Sequence, residues 1–348
     1  MHKFDYLFLK NISIPSNTAS MISYVERSRD MMGNFKEKYP RVFDNLVKIA
    51  KVQSVYSSNA IEGILTTDKR VKDLVNENTE PRNHNEQEIA GYRDALNIIH
   101  SNPNMSLDES NICSLHKTLL SRTNLDFGGQ YKRTDNLIVQ IDSNGNRSIR
   151  FRPVSAEETP KAMEQLWLAY VDARQDYSIN PLLLIPCFIL DFLSIHPFSD
   201  GNGRVSRLLS ILLLYQSGFD GCKYVSFENK INNNKDLYYK SLDESSINWH
   251  SNENDYWPFI SFFVFSLSEC YREIQKRYDL IKNKKLSKSE RIDSFINESI
   301  GKFSKEDIHD FWPDISYCTI ENELHKLLKE DVIQKIGNTN GAEYIKKN

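Results

Sequence analysis

Apolar residues recur at three- and four-residue spacing over most of this chain, with short polar breaks between the runs. Residues 15–60 mix polar and apolar positions with few glycines, which predicts helix. Between Glu86 and His100, the positions Ile89, Tyr92, Ala95, Leu96 and Ile99 trace one face of an amphipathic helix, and Pro103 ends it. Asp108 or Ser106 is placed to cap the next helix, which runs through Leu120. Further helices are expected over 156–172, 181–195, 205–215, 235–242 and 257–278. The run 181–195 is apolar nearly all round, as a core helix is.

The period changes from helical to two between 127 and 153. Leu137, Val139 and Ile141 alternate with polar residues, and Ile149 and Phe151 do so after Asp142-Ser-Asn-Gly-Asn146. Two alternating runs around Asn-Gly predict a β-hairpin. It reads as an ordinary surface hairpin or as an edge that pairs with a partner's extended segment. The lysine-rich stretch 282–291, with Lys284, Lys285 and Lys288, reads as a linker or domain seam. Beyond it, Ser304 and Ser316 are placed to cap helices over 305–311 and 317–330. The runs 332–336 and 342–345 flank a Gly-Asn-Thr-Asn-Gly turn. The expected fold is mainly α: a helical bundle with a β-hairpin, plus a small C-terminal winged helix-turn-helix domain. The expected boundaries are 1–105 for an N-terminal helical region, 106–280 for a central domain and 285–348 for the winged helix.

Charge and cysteine usage narrow the class. A net charge of −3 over 348 residues gives no general attraction to nucleic acid. The presumptive docking helix of the C-terminal domain sets Glu321, Glu323 and Glu330 against Lys326 and Lys329, which favours protein contact over DNA. The five cysteines are scattered and form no Cys-x-x-Cys pair. That argues for reduced, buried thiols in a cytoplasmic protein and against a thiolate zinc site. The N-terminus lacks the apolar core of a signal peptide. The greasiest stretch, 182–198, is interrupted by Pro186, Asp191 and His196, so no membrane span is expected.

The densest chemistry lies at 196–207, His-Pro-Phe-Ser-Asp-Gly-Asn-Gly-Arg-Val-Ser-Arg. Gly201, Asn202 and Gly203 can turn backbone N–H groups toward an anion, and the helix that follows aims its N-terminus at the same place. Arg204 and Arg207, three apart, leave one helix face and can fork phosphate oxygens. His196 can take a proton from a hydroxyl, and Asp200 can hold Mg²⁺ on the phosphates. A metal site built from His84, His100, His116 and His196 has no ligand spacing to support it. Upstream, Ser58-Asn-Ala-Ile-Glu62-Gly63 puts Ser58 and Glu62 on one helix face, with Gly63 suited to end it. Asn59 with Glu62 also fits a helix-start cap.

The run from His196 to Arg207 resembles the signature of the Fic (Fido) family at every fixed position, the acidic Asp200 included. The resemblance extends over roughly residues 50 to 348, the winged-helix tail included. It implies an ATP-dependent protein adenylyltransferase, moving AMP onto a Ser, Thr or Tyr hydroxyl of a target or of itself. In such an enzyme His196 is the base, and Asp200 holds Mg²⁺. The backbone of Gly201–Gly203 and the Asn202 side chain bind phosphates, Arg204 and Arg207 hold the β- and γ-phosphates, and Phe198 anchors the loop. The resemblance further places Leu137, Ile138, Val139 and Gln140 in a flap that lines the nucleotide and registers the target along the 137–151 hairpin. It places Tyr238 and Tyr239 near adenine. Asn234-Lys235 stands where the family usually has Asn-Arg. Ser58 and Glu62 match the family's inhibitory helix, here near 52–65, in which Glu62 competes with ATP for Arg207. Removal of AMP, transfer of another phosphate-containing group, and a nucleotide-sensing transcription regulator are the alternatives. The sequence is compatible with a homodimer.

Overall fold

The computed structural model describes residues 2–76, 79–141, 147–282, 287–299, 302–312, 314–337 and 342–347. The chain opens with two long helices, α1 (Ser16–Lys38) and α2 (Pro40–Ile61), followed by α3 (Asp68–Val75), α4 (His84–Ser101) and α5 (Glu109–Leu120). Asp108 does cap α5, its side chain accepting from the Asn111 N–H at 2.9 Å. Strands β1 (Ile138–Ile141) and β2 (Arg147–Phe151) pair antiparallel, with Val139 opposite Ile149. The expected turn at 142–146 lies outside the described residues, as do Lys284 and Lys285. Helices α6 (Thr159–Arg174), α7 (Pro181–Ile195), α8 (Asn202–Gln216), α9 (Phe227–Asn233), α10 (Lys235–Ser246) and α11 (Trp257–Lys282) complete the bundle.

Helix α7 is the central pillar. All of its side chains from Leu182 to Phe192 are buried, and it packs against α6, α8, α10 and α11. Its one charge, Asp191, is fully buried and became a hub rather than a break. Tyr6 and the Trp249 indole N–H donate to it at 2.7 Å, and the Tyr256 hydroxyl donates at 2.9 Å. Burial first of all raises its pKa, and those donors oppose the rise. This hub ties the first residues of the chain to the middle of the bundle, which no local pattern announces.

Past α11 the 282–291 stretch differs from the expected linker. Ser287 and Glu290 form a capping box that starts a helix, α12 (Lys288–Glu298). Then come α13 (Lys305–Phe311), capped by Ser304, and α14 (Tyr317–Lys329), capped by Ser316. An antiparallel hairpin of β3 (Ile333–Ile336) and β4 (Glu343–Lys346) closes the chain. Of the cysteines, Cys187, Cys222 and Cys270 are buried as expected, whereas Cys113 is half-buried and Cys318 is exposed. Among the described residues no helix is long and apolar enough to cross a membrane.

Candidate active site

The loop between α7 and α8 is built around a residue in a costly conformation. His196 caps α7 at φ 54°, ψ 61°, in the left-handed region. For a non-glycine residue that region costs about 1–2 kcal/mol. Several ties hold it. Its N–H donates to Phe192 O at 2.9 Å. Buried Lys132 donates from its N–H to Pro197 O at 2.9 Å and from Nζ to Ile195 O at 3.1 Å. Asn136 donates to Phe198 O at 3.1 Å. Phe198 is fully buried and stacks on His116, their centroids 3.8 Å apart. His116 accepts from the Gly129 N–H at Nδ1, 3.0 Å away, so its Nε2 carries the proton offered to Asp200 O at 3.1 Å. Gly201 then turns the chain at φ 77° into the N-terminus of α8.

The imidazole of His196 lies against Leu193 O through Nδ1 at 3.3 Å, which leaves Nε2 for the cleft. Burial holds its pKa down at about 4, with the nearby Lys132 cation adding to the effect. The ring is therefore neutral near pH 7 and able to accept a proton.

The two arginines of the loop have different partners. Arg207, buried in α8, donates from Nε to Ser58 Oγ at 2.8 Å. Its Nη2 donates to Ser58 O at 2.9 Å and to Glu62 Oε1 at 2.8 Å. Glu62 is the C-cap of α2, followed by Gly63 at φ 79°, so the segment is a helix end and not the helix-start cap. Its carboxylate also lies directly over Gly203, close enough that a Cβ there would collide with Oε1. A carboxylate thus sits at the N-terminus of α8, where first-turn N–H groups have no helical acceptor. Arg204, equally buried, instead meets Glu88 of α4 through Nη1 and Asp200 through Nη2 at 3.4 Å.

A cleft of about 740 Å³ opens beside this cluster. Its walls include His196, Gly203, Glu62, Ile138, Val139, Tyr238 and Tyr239. Tyr239 donates to Ile61 O at 3.3 Å, so the cleft wall touches the end of α2. Arg150 of β2 pairs with Asp243 of α10 at 3.2 Å and ties the hairpin to the opposite wall.

Most of the expected site residues converge here, with differences. The Asn202 side chain is buried and committed to the loop itself, accepting from Phe198 N–H at 2.9 Å and donating to Phe198 O at 2.8 Å. The Gly201 N–H donates to Asp200 Oδ1 at 2.6 Å, so it too serves the loop. Leu137 is exposed beside β1 and outside the cleft lining, and the side chain of Gln140 lies outside the described residues. Asp200 is exposed, with one carboxylate oxygen 3.4 Å from Arg204. Among the described residues no three His, Cys, Asp or Glu side chains group as a metal site. Glu88, Lys132, Asn136 and Arg150 lie outside the 196–207 run and sequence reasoning missed them, while His116 was weighed only as a metal ligand.

With the geometry established, comparison places the site in a class. Residues 106–214 match the model of the Fic/DOC family. The chain is 25% identical over 253 residues to the protein adenylyltransferase Fic of Nematostella vectensis, covering 67% of this chain and 53% of the relative. It is 26% identical over 225 residues to the protein of the same name in Aedes aegypti, covering 62% of this chain and 40% of the relative. The chain thus spans about half or less of the length of these curated relatives. Its fold is similar to the crystal structure of a Fic family protein from Desulfovibrio desulfuricans, with a TM-score of 0.61, 97% of each chain covered and 19% identity. It is also similar to Fic-1 from C. elegans, with a TM-score of 0.58, 20% identity, and 76% of this chain and 73% of that one covered.

Proposed function

We propose that this chain is a protein adenylyltransferase that moves AMP from ATP to a hydroxyl of a protein, with Glu62 holding it inhibited. The observation that carries this reading is the Glu62 carboxylate lodged on Arg207 over Gly203, an anion in an anion site, beside a neutral histidine.

In the reaction, His196 Nε2 takes the proton of the target hydroxyl. The hydroxyl oxygen bonds to the α-phosphorus as the bond to the bridging oxygen breaks, and pyrophosphate leaves. The first-turn N–H groups of α8 and the Arg207 fork hold phosphate oxygens. Arg204 acts through Asp200, since its own fork is already engaged. Asp200 fits Mg²⁺: one exposed carboxylate beside a phosphate site is the donor set of an ion held largely by substrate phosphates. When bound, Mg²⁺ neutralises charge on the triphosphate. The relatives' names support ATP as the AMP donor. Tyr238 and Tyr239 lie where the base would enter, and Ile138 and Val139 where the flap would cover the nucleotide.

The target docks along the 137–151 hairpin, where Val139 and Ile149 face each other across the strands and are both exposed. We read 285–348 as a winged helix that contacts protein, because the exposed side of α14 mixes Glu321 and Asn322 with Lys326 and Lys329. The free cysteines fit a cytoplasmic protein.

The test is transfer of label from α-³²P-ATP, compared with γ-³²P-ATP, to protein. Label from the α position alone supports AMP transfer. His196→Ala should lower it by about a hundredfold or more while ATP binding persists. Label from the γ position, or a His196→Ala enzyme as fast as its parent, overturns the reading. Mass spectrometry of a modified protein incubated with the enzyme separates AMP removal, in which Glu62 would position water, from AMP transfer.

A further inference from the structure

A second cavity, of about 320 Å³, lies where the C-terminal unit meets the bundle, lined by α2, α3 and the C-terminal residues. Its floor is apolar. Ile49 and Val52 of α2 face the aromatic edges of Phe303 and Phe311, which pack with Phe295 in the core of the C-terminal unit. Its rim is charged, and most of the acids there are committed. Glu343 pairs with Lys302 at 3.1 Å, and Asp307 accepts from the Ser304 N–H at 2.8 Å in the capping box of α13. Arg277 pairs with Glu273. Lys48, Lys69 and Lys72 remain, against Asp73, and among the described residues none of the three lysines has a carboxylate within ion-pair distance. Lys72 is half-buried, and burial lowers its pKa despite the acids nearby. An anion placed beside it would favour the charged form that burial disfavours.

An apolar floor of rings under a net-positive rim suits one chemistry. We propose that this seam cavity binds a small amphiphilic anion: an aromatic ring or short acyl chain against Phe303, Phe311 and Val52, with its carboxylate, sulfonate or phosphate on Lys69 and Lys72. The volume matches that of ordinary small-ligand sites.

The position gives the site a consequence. The wall residue Val52 and the inhibitory Glu62 lie on one helix, ten residues and so about 15 Å apart. The cavity exists in the arrangement in which Glu62 engages Arg207. A ligand that binds this arrangement more tightly than the one with Glu62 displaced stabilises it, and its occupancy then reinforces inhibition. This consequence rests on the inhibitory role proposed above; the binding site does not.

The probe is 1-anilinonaphthalene-8-sulfonate, an aromatic body with a sulfonate, titrated by fluorescence into the full chain. Saturable binding at one site is expected, undisturbed by excess ATP with Mg²⁺. Lys69→Ala with Lys72→Met should weaken it at least fivefold. Val52→Trp, which fills the floor and leaves the lysines in place, should weaken it as much. Octanoate should displace the probe at a tenfold lower concentration than octan-1-ol. Displacement by ATP, unchanged affinity in both variants, or equal potency of acid and alcohol would overturn the site. For the consequence, saturating octanoate should lower self-AMPylation of the wild type at least threefold and leave Glu62→Gly unaffected. Equal inhibition of both enzymes refutes the coupling. A Glu62→Gly enzyme no faster than wild type refutes the inhibitory role and leaves the fluorescence result to decide the site.

Discussion

Two arginines one helical turn apart on α8 each meet a carboxylate from the N-terminal helices, yet the two pairs are built for different work. Arg204 meets Glu88, which projects from the second turn of α4 and has a side chain only 7% exposed. Arg207 meets Glu62, which stands at the very end of α2 and is 32% exposed. Glu88 is buried and also lies 3.1 Å from the His84 ring through Oε1. Glu62 sits on a helix terminus, above a glycine, at the edge of an open cleft. A charge pair that is sealed works as scaffold, because breaking it strands a buried cation. A pair whose acid lies at a solvent-facing helix end can exchange that acid for another anion at little cost. On the proposed reading, the same side-chain chemistry serves position in one place and competition in the other, and burial decides which.

The sharpest way to break this contrast is to remove each acid in turn. Glu88→Ala leaves buried Arg204 with only its 3.4 Å contact to Asp200, and we expect a loss of about 3 kcal/mol in stability together with near-complete loss of AMP transfer. Thermal unfolding and labelled-ATP assays check this, and an unfolding midpoint equal to that of wild type would erase the distinction. Glu62→Gly should act in the opposite sense, raising AMP transfer tenfold or more while stability changes by less than about 1 kcal/mol. Arg207 would keep its two bonds to Ser58 in that variant.

Smaller effects sharpen the same picture. Asn202→Ala removes the two bonds that staple the loop to Phe198, which should cost about 1–2 kcal/mol and weaken ATP binding severalfold. If Asn202 instead reached the phosphates directly, ATP affinity would fall with stability unmoved. The smallest expected change is with pH. His196 must be neutral to accept a proton, and its pKa is held near 4, below the usual histidine value. Its protonated fraction therefore stays small as pH falls from 8 to 6, so kcat of Glu62→Gly should be flat on this account across that window. A half-maximal point near 6.5 would show an ordinary exposed imidazole.

How much of this was legible in the sequence follows from where the forces act. The α7–α8 loop could be read directly because its residues are neighbours in the chain: a left-handed His, a turning Gly201 and a helix N-terminus all lie within a dozen positions. The end of α2 could be read from Ser58, Glu62 and Gly63 for the same reason. What holds those pieces in place is distant in sequence. Glu88 is 116 residues from Arg204, and Asp191 is 185 residues from Tyr6. No periodicity marks a buried carboxylate as a hub rather than a helix breaker, so Asp191 reads only as an interruption. The same limit explains Asn202 and Arg204. Their types fit phosphate contact, but the partners that occupy them, Phe198 backbone and Glu88, appear only once the chain is folded. The helix at 288–298 was hidden by its lysines, although its Ser287–Glu290 capping box was in plain view.

The most direct test of competition between Glu62 and ATP at Arg207 is label incorporation from α-³²P-ATP by three enzymes in parallel: wild type, Glu62→Gly, and Glu62→Gly with His196→Ala. Strong labelling by the second, little by the first and none by the third is the expected result. Equal labelling by wild type and Glu62→Gly, or label that survives loss of His196, would contradict it.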